Sequence, residues 1–279
     1  MSWMIVSDSS CELRTLSNAA PGVAFSTVPL KIRVGEREFV DNAALDPDVM
    51  IEAMHNFNGA STTACPSPEE WAEKFLMADQ ILAVTISSNL SGSYNSAMVA
   101  RDMVLENHPE KKIHVLDSLS TGGEMTLAIW KANDLIARGL PFEELVKEWE
   151  IWFQQRQILF ALASFDNLVK NGRVSKLVGF VAGVMNMRAV GRGSDDGKLE
   201  MLHKTRGETR MLALILEEMD HRGYHGQVPA VISHCQNEKG AQMLKTGIEK
   251  KWPGAKAIVL PCSGLTSFYA ESGGIIVGY

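Results

Sequence analysis

This chain has no run of basic residues, no long unbroken apolar stretch, no paired cysteines and no G-x-S-x-G nucleophile elbow, and each absence closes off a class of function. Lys and Arg number 27 against 33 Asp and Glu, so the electrostatic footprint that nucleic acid requires is missing. The resulting net charge of −6 also repels an anionic membrane surface, which leaves at most transient membrane contact. The richest apolar stretch, 174–190, is broken by Lys176, Asn186 and Arg188 and is too short and polar to cross a bilayer. Trp3-Met4-Ile5-Val6 reads as a strand rather than as part of a leader, so no secretory signal is expected. Cys11, Cys65, Cys235 and Cys262 form no C-x-x-C pair and no zinc-ligand spacing. They read as free thiols in a reducing cytoplasm, with no metal and no cofactor.

What is present is material for a sizeable core, 46% hydrophobic residues over a length comfortable for two domains. Apolar strand-like runs alternate with helical ones in the first half. Strands are expected at 3–6, 81–86 and 113–116, each followed by polar loop residues and a helix, and 28–34 with 37–40 reads as a hairpin about Gly35-Glu36. Asp46-Pro47 and the capping box Ser67-Pro68-Glu69-Glu70 open helices, and Phe142, Leu145, Val146, Trp149, Trp152 and Phe153 share one face of another. In the second half 187–193 and 198–205 flank the turn Ser194-Asp195-Asp196-Gly197, helices fall near 207–222 and 237–251, and strands fit 158–163, 230–232, 257–260 and 275–277. The fold class expected is α/β. An N-terminal domain, 1–155, carries a parallel sheet with helices on both faces, and a C-terminal domain, 156–279, is mixed and partly antiparallel, with a ligand between the two.

The most informative segment is Ile86-Ser87-Ser88-Asn89-Leu90-Ser91-Gly92-Ser93-Tyr94-Asn95-Ser96, rich in serine between a strand and a helix. In an open parallel sheet, ligands bind beyond the carboxyl ends of strands, where the next helix offers unpaired N–H groups. Gly92 permits close backbone approach. With no Lys or Arg in the loop, a carboxylate fits better than a triphosphate. Ser7-Asp8-Ser9-Ser10, Asp117–Gly123 and Ser61–Pro66 repeat the hydroxyl-rich theme, and parallel, adjacent strands would gather all four loops at one sheet edge. Singly, each loop also reads as helix capping and turn filling.

At these residues the chain resembles the DegV family of bacterial lipid-binding proteins. The resemblance runs along nearly the whole chain, through Ser7-Asp8-Ser9, Val28-Pro29-Leu30, Thr63-Ala64-Cys65-Pro66-Ser67-Pro68, the serine loop, Val115–Ser118, Asn171-Gly172-Arg173-Val174, Lys204–Gly207 and Gly273–Gly278. It implies two α/β domains closing over a long-chain fatty acid, with the tail in an apolar tunnel and the carboxylate on a threonine loop and a serine loop. It further implies a non-catalytic carrier that presents the acid to a separate fatty-acid kinase for acyl-phosphate and phospholipid synthesis. Carried over by motif, the ligand-binding residues are Thr63, Ser91, Gly92, Ser93 and Arg173. Two departures stand out. Ala64 and Cys65 fill the middle of the threonine loop, and the histidine of kinase-coupled members is absent from Pro261-Cys262-Ser263-Gly264, where Cys262 or Ser263 is expected in its place.

A buried tail of about 16 carbons contributes on the order of 10 kcal/mol at ~0.8 kcal/mol per methylene, whereas each hydrogen bond to the carboxylate contributes roughly 1.5–3 kcal/mol. The tail therefore supplies most of the affinity and the head contacts set direction. The stretch 174–187, apolar on most faces with Gly179 and Gly183, reads equally as a tunnel wall or as a buried core helix. The alternative function is a Ser-dependent hydrolase or acyltransferase acting on a small acyl substrate. It lacks a histidine near the serine loop. His114, His203 and His234 lie in or beside strands, with His234 the best placed to converge from a distance.

Overall fold

The computed structural model describes residues 2–174 and 187–279. The chain opens with β1 (Trp3–Asp8), a single 3-10 turn at Ser9–Cys11, and β2 (Val23–Val28). β3 (Lys31–Val34) and β4 (Arg37–Val40) form the expected hairpin, α1 (Pro47–His55) starts on an Asp46 cap, and β5 (Thr62–Ala64) follows. Then come α2 (Pro68–Phe75), β6 (Gln80–Thr85), α3 (Ser93–Asn107), β7 (Lys112–Asp117), α4 (Gly123–Ala137) and α5 (Phe142–Phe153). The capping box is present in full at α2: Ser67 Oγ accepts from Glu70 N, and the Glu70 carboxylate accepts from Ser67 N.

β2, β1, β6 and β7 line up in that order as a parallel sheet. Both faces are covered, and the pleat shows how. Met4 and Val6 on β1, with Ile81 and Ala83 on β6, pack against Trp71 and Phe75 of α2 and Ala97 and Ala100 of α3. The alternate residues Ile5, Leu82 and Val84 pack against α4 and α5 through Met125, Ile129, Leu145 and Trp149. A strand buried on both sides reads as a continuous apolar run, the pattern seen at 81–86.

The second half supplies β8 (Ile158–Leu162), α6 (Asp166–Lys170), β9 (Met187–Gly193), β10 (Leu199–Arg206), α7 (Glu208–His221), β11 (Ala230–His234), α8 (Glu238–Lys251), β12 (Ala257–Pro261), α9 (Gly264–Ala270) and β13 (Ile275–Gly278). Its six-stranded sheet has the order β10-β9-β8-β13-β11-β12, antiparallel except for β11 with β12. α7 and α8 cover one face through Met211, Ile215, Leu244 and Ile248. The other face, carrying Ile158, Phe160, Leu162 and Ile276, packs with Phe268 and Ala270 of α9 and with Ile32, Val34, Phe39, Met50 and Ile51 from far earlier in the chain. Gly191 stands opposite Phe160, and a Cβ there would overlap the ring, so glycine lets the aromatic lie over the β9 backbone.

Two expectations change. The segment Ser61–Pro66 is not a loop at the edge of the parallel sheet. Thr62–Ala64 pairs antiparallel with β3 in a separate three-stranded sheet, β4-β3-β5, whose apolar face joins the core on the second sheet. The stretch between 261 and 275, where no helix was expected, contains α9. The reading of 174–187 as a tunnel wall or core helix falls almost wholly outside the described residues.

Asp8 holds the N-terminal sheet to its loops. It is fully buried at the end of β1; Oδ2 accepts from Ile86 N at 2.8 Å and Ser93 Oγ at 2.7 Å, and Oδ1 from Ser10 N at 3.2 Å and Ser10 Oγ at 2.5 Å. Removing the carboxylate strands several buried donors, each costing about 1–3 kcal/mol. Asp8→Ala is therefore expected to lower the unfolding free energy by about 3 kcal/mol or more, read as a drop in urea midpoint at unchanged slope.

Candidate ligand-binding site

A cavity lies between the loop tips of the parallel sheet and the inner face of the six-stranded sheet. The space between atoms there, open mouth included, is about 830 Å³. Its wall is largely hydrocarbon. Ile158, Phe160 and Leu162, successive inward residues of β8, form one side with Ile276, while Leu30, Ile86, Leu90, Leu119 and Leu199 close the others. Among the described residues the polar side chains of the lining are Thr63, Ser91, Ser120, Thr121, Thr266, Tyr269, Arg173 and Lys198.

Three of these meet at one place. Thr63 Oγ1 and Tyr269 Oη are 2.9 Å apart, and the Arg173 guanidinium carbon lies 6.0 Å from the centre of the Tyr269 ring. Arg173 Nε donates to Leu90 O at 3.2 Å and Nη1 to Asn171 O at 2.6 Å, while Asn171 Nδ2 donates to Ser61 O at 3.1 Å. The threonine strand, the serine loop and the Gly172-Arg173 turn are thus tied together by side-chain-to-backbone bonds. Burial raises the Tyr269 phenol above its ordinary value, while the bond to Thr63 and the nearby Arg173 cation pull the other way, so the hydroxyl keeps its proton. One of the two hydroxyl protons in the Thr63–Tyr269 pair serves their mutual bond, which leaves the other for a ligand.

The residues anticipated from sequence divide between wall and support. Thr63, Ser91 and Arg173 line the cavity. Ser93 does not: it is fully buried and its hydroxyl donates to Asp8, while its backbone N–H donates to Ser91 Oγ at 3.3 Å. Gly92 is the N-cap of α3, and a Cβ there would stand 3.1 Å from Cys65 Sγ, so it spaces the serine loop from the threonine strand. Cys262 and Ser263 are also off the lining. Cys262 is buried, which pushes its thiol well up, and Ser263 bonds to Glu12 and Thr266 behind the wall. The side chain that meets Thr63 is instead Tyr269, one turn and a half further along α9. Nothing local marked it; the available signal was a phenol on a short apolar segment before Gly273-Gly274. Thr266 was likewise missed, whereas Ser120 and Thr121 belong to the hydroxyl-rich loop Asp117–Gly123 that the sequence pointed to.

The serine loop has a second role. Ser87 Oγ donates to Gly197 O at 2.7 Å and Asn89 Nδ2 to Asp196 O at 2.7 Å, so the β9–β10 turn is seated on it. No histidine lines the cavity among the described residues. His234 Nδ1 accepts from Asn237 N at 3.3 Å, and burial lowers its imidazole below the ordinary value. No cluster of His, Cys, Asp and Glu suited to a metal occurs among the described residues, and no described helix is long and apolar enough to cross a membrane.

A family profile described as an uncharacterised protein of the DegV family matches residues 2–279. A DegV domain-containing protein of Streptococcus gordonii is 47% identical over 279 residues, covering 100% of this chain and 99% of its own. The Streptococcus pneumoniae Fatty Acid Kinase (Fak) B3 protein, solved loaded with linoleic acid, superposes with a TM-score of 0.97 at 46% identity, over 100% of this chain and 99% of that one. A DegV family protein from Eubacterium eligens, loaded with heptadecanoic acid, superposes with a TM-score of 0.94 at 36% identity, over 99% of each chain.

Two buried carboxyls stand behind lining hydroxyls. Ser120 Oγ donates to Glu124 Oε2 at 2.6 Å, and Thr266 Oγ1 to Glu12 Oε2 at 2.9 Å. Burial pushes Glu12 up to about 7, against the pull of its bonds to Ser263 and Thr266, and Glu124 up to about 8, against the bond to Ser120 and the cation of Arg156. A carboxyl raised in the folded state contributes stability that is present below its ordinary value of 4.5 and lost as pH rises through the folded value. The ligand-free protein should therefore melt at progressively lower temperature from pH 7 to 8.5, where histidine titration no longer contributes. Glu124→Gln should flatten part of that slope in scanning fluorimetry.

Proposed function

The chain belongs to the DegV family, and from that premise we propose that it holds one long-chain fatty acid, carboxylate on the hydroxyl and guanidinium groups of Thr63, Ser91, Tyr269 and Arg173 and tail along the apolar wall. The observation that carries this reading is the segregation of the cavity: a polar cluster converging on Thr63, Tyr269 and Arg173, and hydrocarbon over β8 and β13. An ionised head without such partners would be a buried unpaired charge, whereas a polar substrate would leave the apolar wall without use. Fatty acids bound to relatives at 46% and 36% identity support it. Ser93, Gly92, Ser263 and Cys262 act in this reading as supports of the lining groups. The partition at 155/156 follows the two sheets only in part, because 31–64 pack with the second.

In the same proposal the chain is a carrier rather than an enzyme, working in the cytoplasm, and hands its acid to a fatty-acid kinase. The name of the Streptococcus pneumoniae neighbour, a fatty acid kinase B3 protein, supports that partner. The hydrolase alternative predicts turnover of an acyl ester instead.

Protein purified from cells, denatured and extracted should release about one fatty acid per chain by mass spectrometry; an empty protein that hydrolyses acyl esters would overturn the carrier. Tyr269→Phe and Ser91→Ala should each weaken binding about tenfold or more, the loss of a hydrogen bond to a charged group. Leu162→Arg, which sets a charge in the tail wall, should abolish binding with the fold retained by circular dichroism.

A further inference from the structure

Glu12 has no task in the site as described, yet its placement is specific. It follows the 3-10 turn after β1 with a left-handed backbone, φ 64°, unusual for a residue with a side chain. That backbone sends the carboxyl to the start of α9, where Oε2 accepts from Ser263 N and from Thr266 Oγ1. Oε1 is buried without a partner. It faces Gly122, where a Cβ would stand 3.4 Å from Oε1, 3.6 Å from Ile276 Cγ2 and 3.7 Å from Ser233 Oγ, itself buried and unpartnered. Ile276 and Thr266 both line the cavity. Glu12 is therefore one hydroxyl behind the wall, and Thr266 precedes Tyr269 by three residues on the same helix, about one turn from the polar cluster.

Among the described residues no cation is paired with Glu12. Asp41 lies near and is negative; it accepts from Gly264 N at 2.8 Å and Leu265 N at 2.9 Å. Arg14, the cation of this cluster, pairs through Nη2 with Asp41 at 2.5 Å, and its Nη1 is buried without a partner. The thiols of Cys235 and Cys262, the remaining titratable groups facing it across α9 and β11, are held protonated by burial. Asp8, at the base of the same turn, is buried and occupied by four donors. An anionic ligand head about one turn away thus adds a like charge to a carboxyl that no cation pairs.

Resting on the fatty-acid reading, we propose that Glu12 is a positioning residue that takes up a proton when the ligand binds, turning Thr266 from a donor aimed at Glu12 into a donor available to the cavity. With Glu12 ionised, the Thr266 proton is spent on Oε2 and the hydroxyl shows the cavity only lone pairs. With Glu12 protonated, the carboxyl O–H donates to Thr266 and frees its proton for a ligand oxygen or for Ser263. Burial already sets Glu12 near neutrality, and a second charge roughly 10 Å away in a medium of intermediate dielectric adds about one pH unit. Affinity is then full below pH 7 and falls by about tenfold as the pH passes above it.

The test uses palmitate labelled with carbon-13 at its carboxyl, so that infrared difference spectra separate ligand from protein. Calorimetry in buffers of different ionisation enthalpy counts the protons. Binding at pH 7.5 should take up a fraction of a proton and raise a protonated-carboxyl band at the unlabelled frequency. Glu12→Gln should remove both and make affinity level between pH 6 and 9, and Glu124→Gln should leave both. A wild-type spectrum without that band, or one carrying it only at the labelled frequency, overturns the proposal even if Glu12→Gln does not fold. Uptake that persists in Glu12→Gln and vanishes in Glu124→Gln overturns it as well. Binding that is intact but proton-neutral sinks this inference and spares the fatty-acid reading; no binding at any pH sinks both.

Discussion

The site depends on a carboxylate that never touches the cavity. Asp8 gathers the 3-10 turn after β1, the first amide past β6 and the first hydroxyl of α3 into one buried cluster. Because β1 is central in the parallel sheet, that cluster sets the height at which the serine loop leaves it. Ser91, two residues from Ser93, inherits its position from this anchor, and the β9–β10 turn inherits its own by sitting on Ser87 and Asn89. Burial raises Asp8 above the usual carboxylate range against the pull of those bonds, the mark of a group kept for geometry at an electrostatic cost.

What was legible in the sequence was local. The capping box at Ser67, the apolar runs of β6 and β7, the Ser194–Gly197 turn and the hydroxyl-rich loop all announce themselves within a few residues, because caps, pleats and turns are short-range physics. Which serine faces a ligand is not of that kind. Ser91 and Ser93 differ only in what lies across from them, and Ser93 is claimed by an aspartate 85 positions earlier. Tyr269 was invisible for the same reason, since its partner Thr63 is 206 positions away. Cys262 and Ser263 were singled out as standing where kinase-coupled DegV proteins carry a histidine, but α9 begins there and carries the lining face on to Thr266 and Tyr269.

Polar and apolar contributions are divided in space. Hydrocarbon burial is undirected and grows with length, so it suits a tail that varies; hydrogen bonds are directional and belong at the end that does not vary. One guanidinium with three hydroxyls is modest provision for an anion, and Glu12 and Glu124 stand behind two other hydroxyls of the wall. Such a wall answers to the protonation state of what lies beneath it as well as to its own atoms.

The route of the chain has its own consequence. β1 and β2 belong to the parallel sheet, 31–64 lie with the second sheet, 68–153 return to the first, and 158–279 complete the second. Three crossings mean that no single cut frees an intact half. During synthesis the hairpin and α1 emerge early, with Ile32, Val34, Phe39, Met50 and Ile51 ready to pack, but the sheet that receives them ends only at Gly278. Until β13 has been made, that apolar face has no complete sheet to pack on, so its burial comes long after its own synthesis.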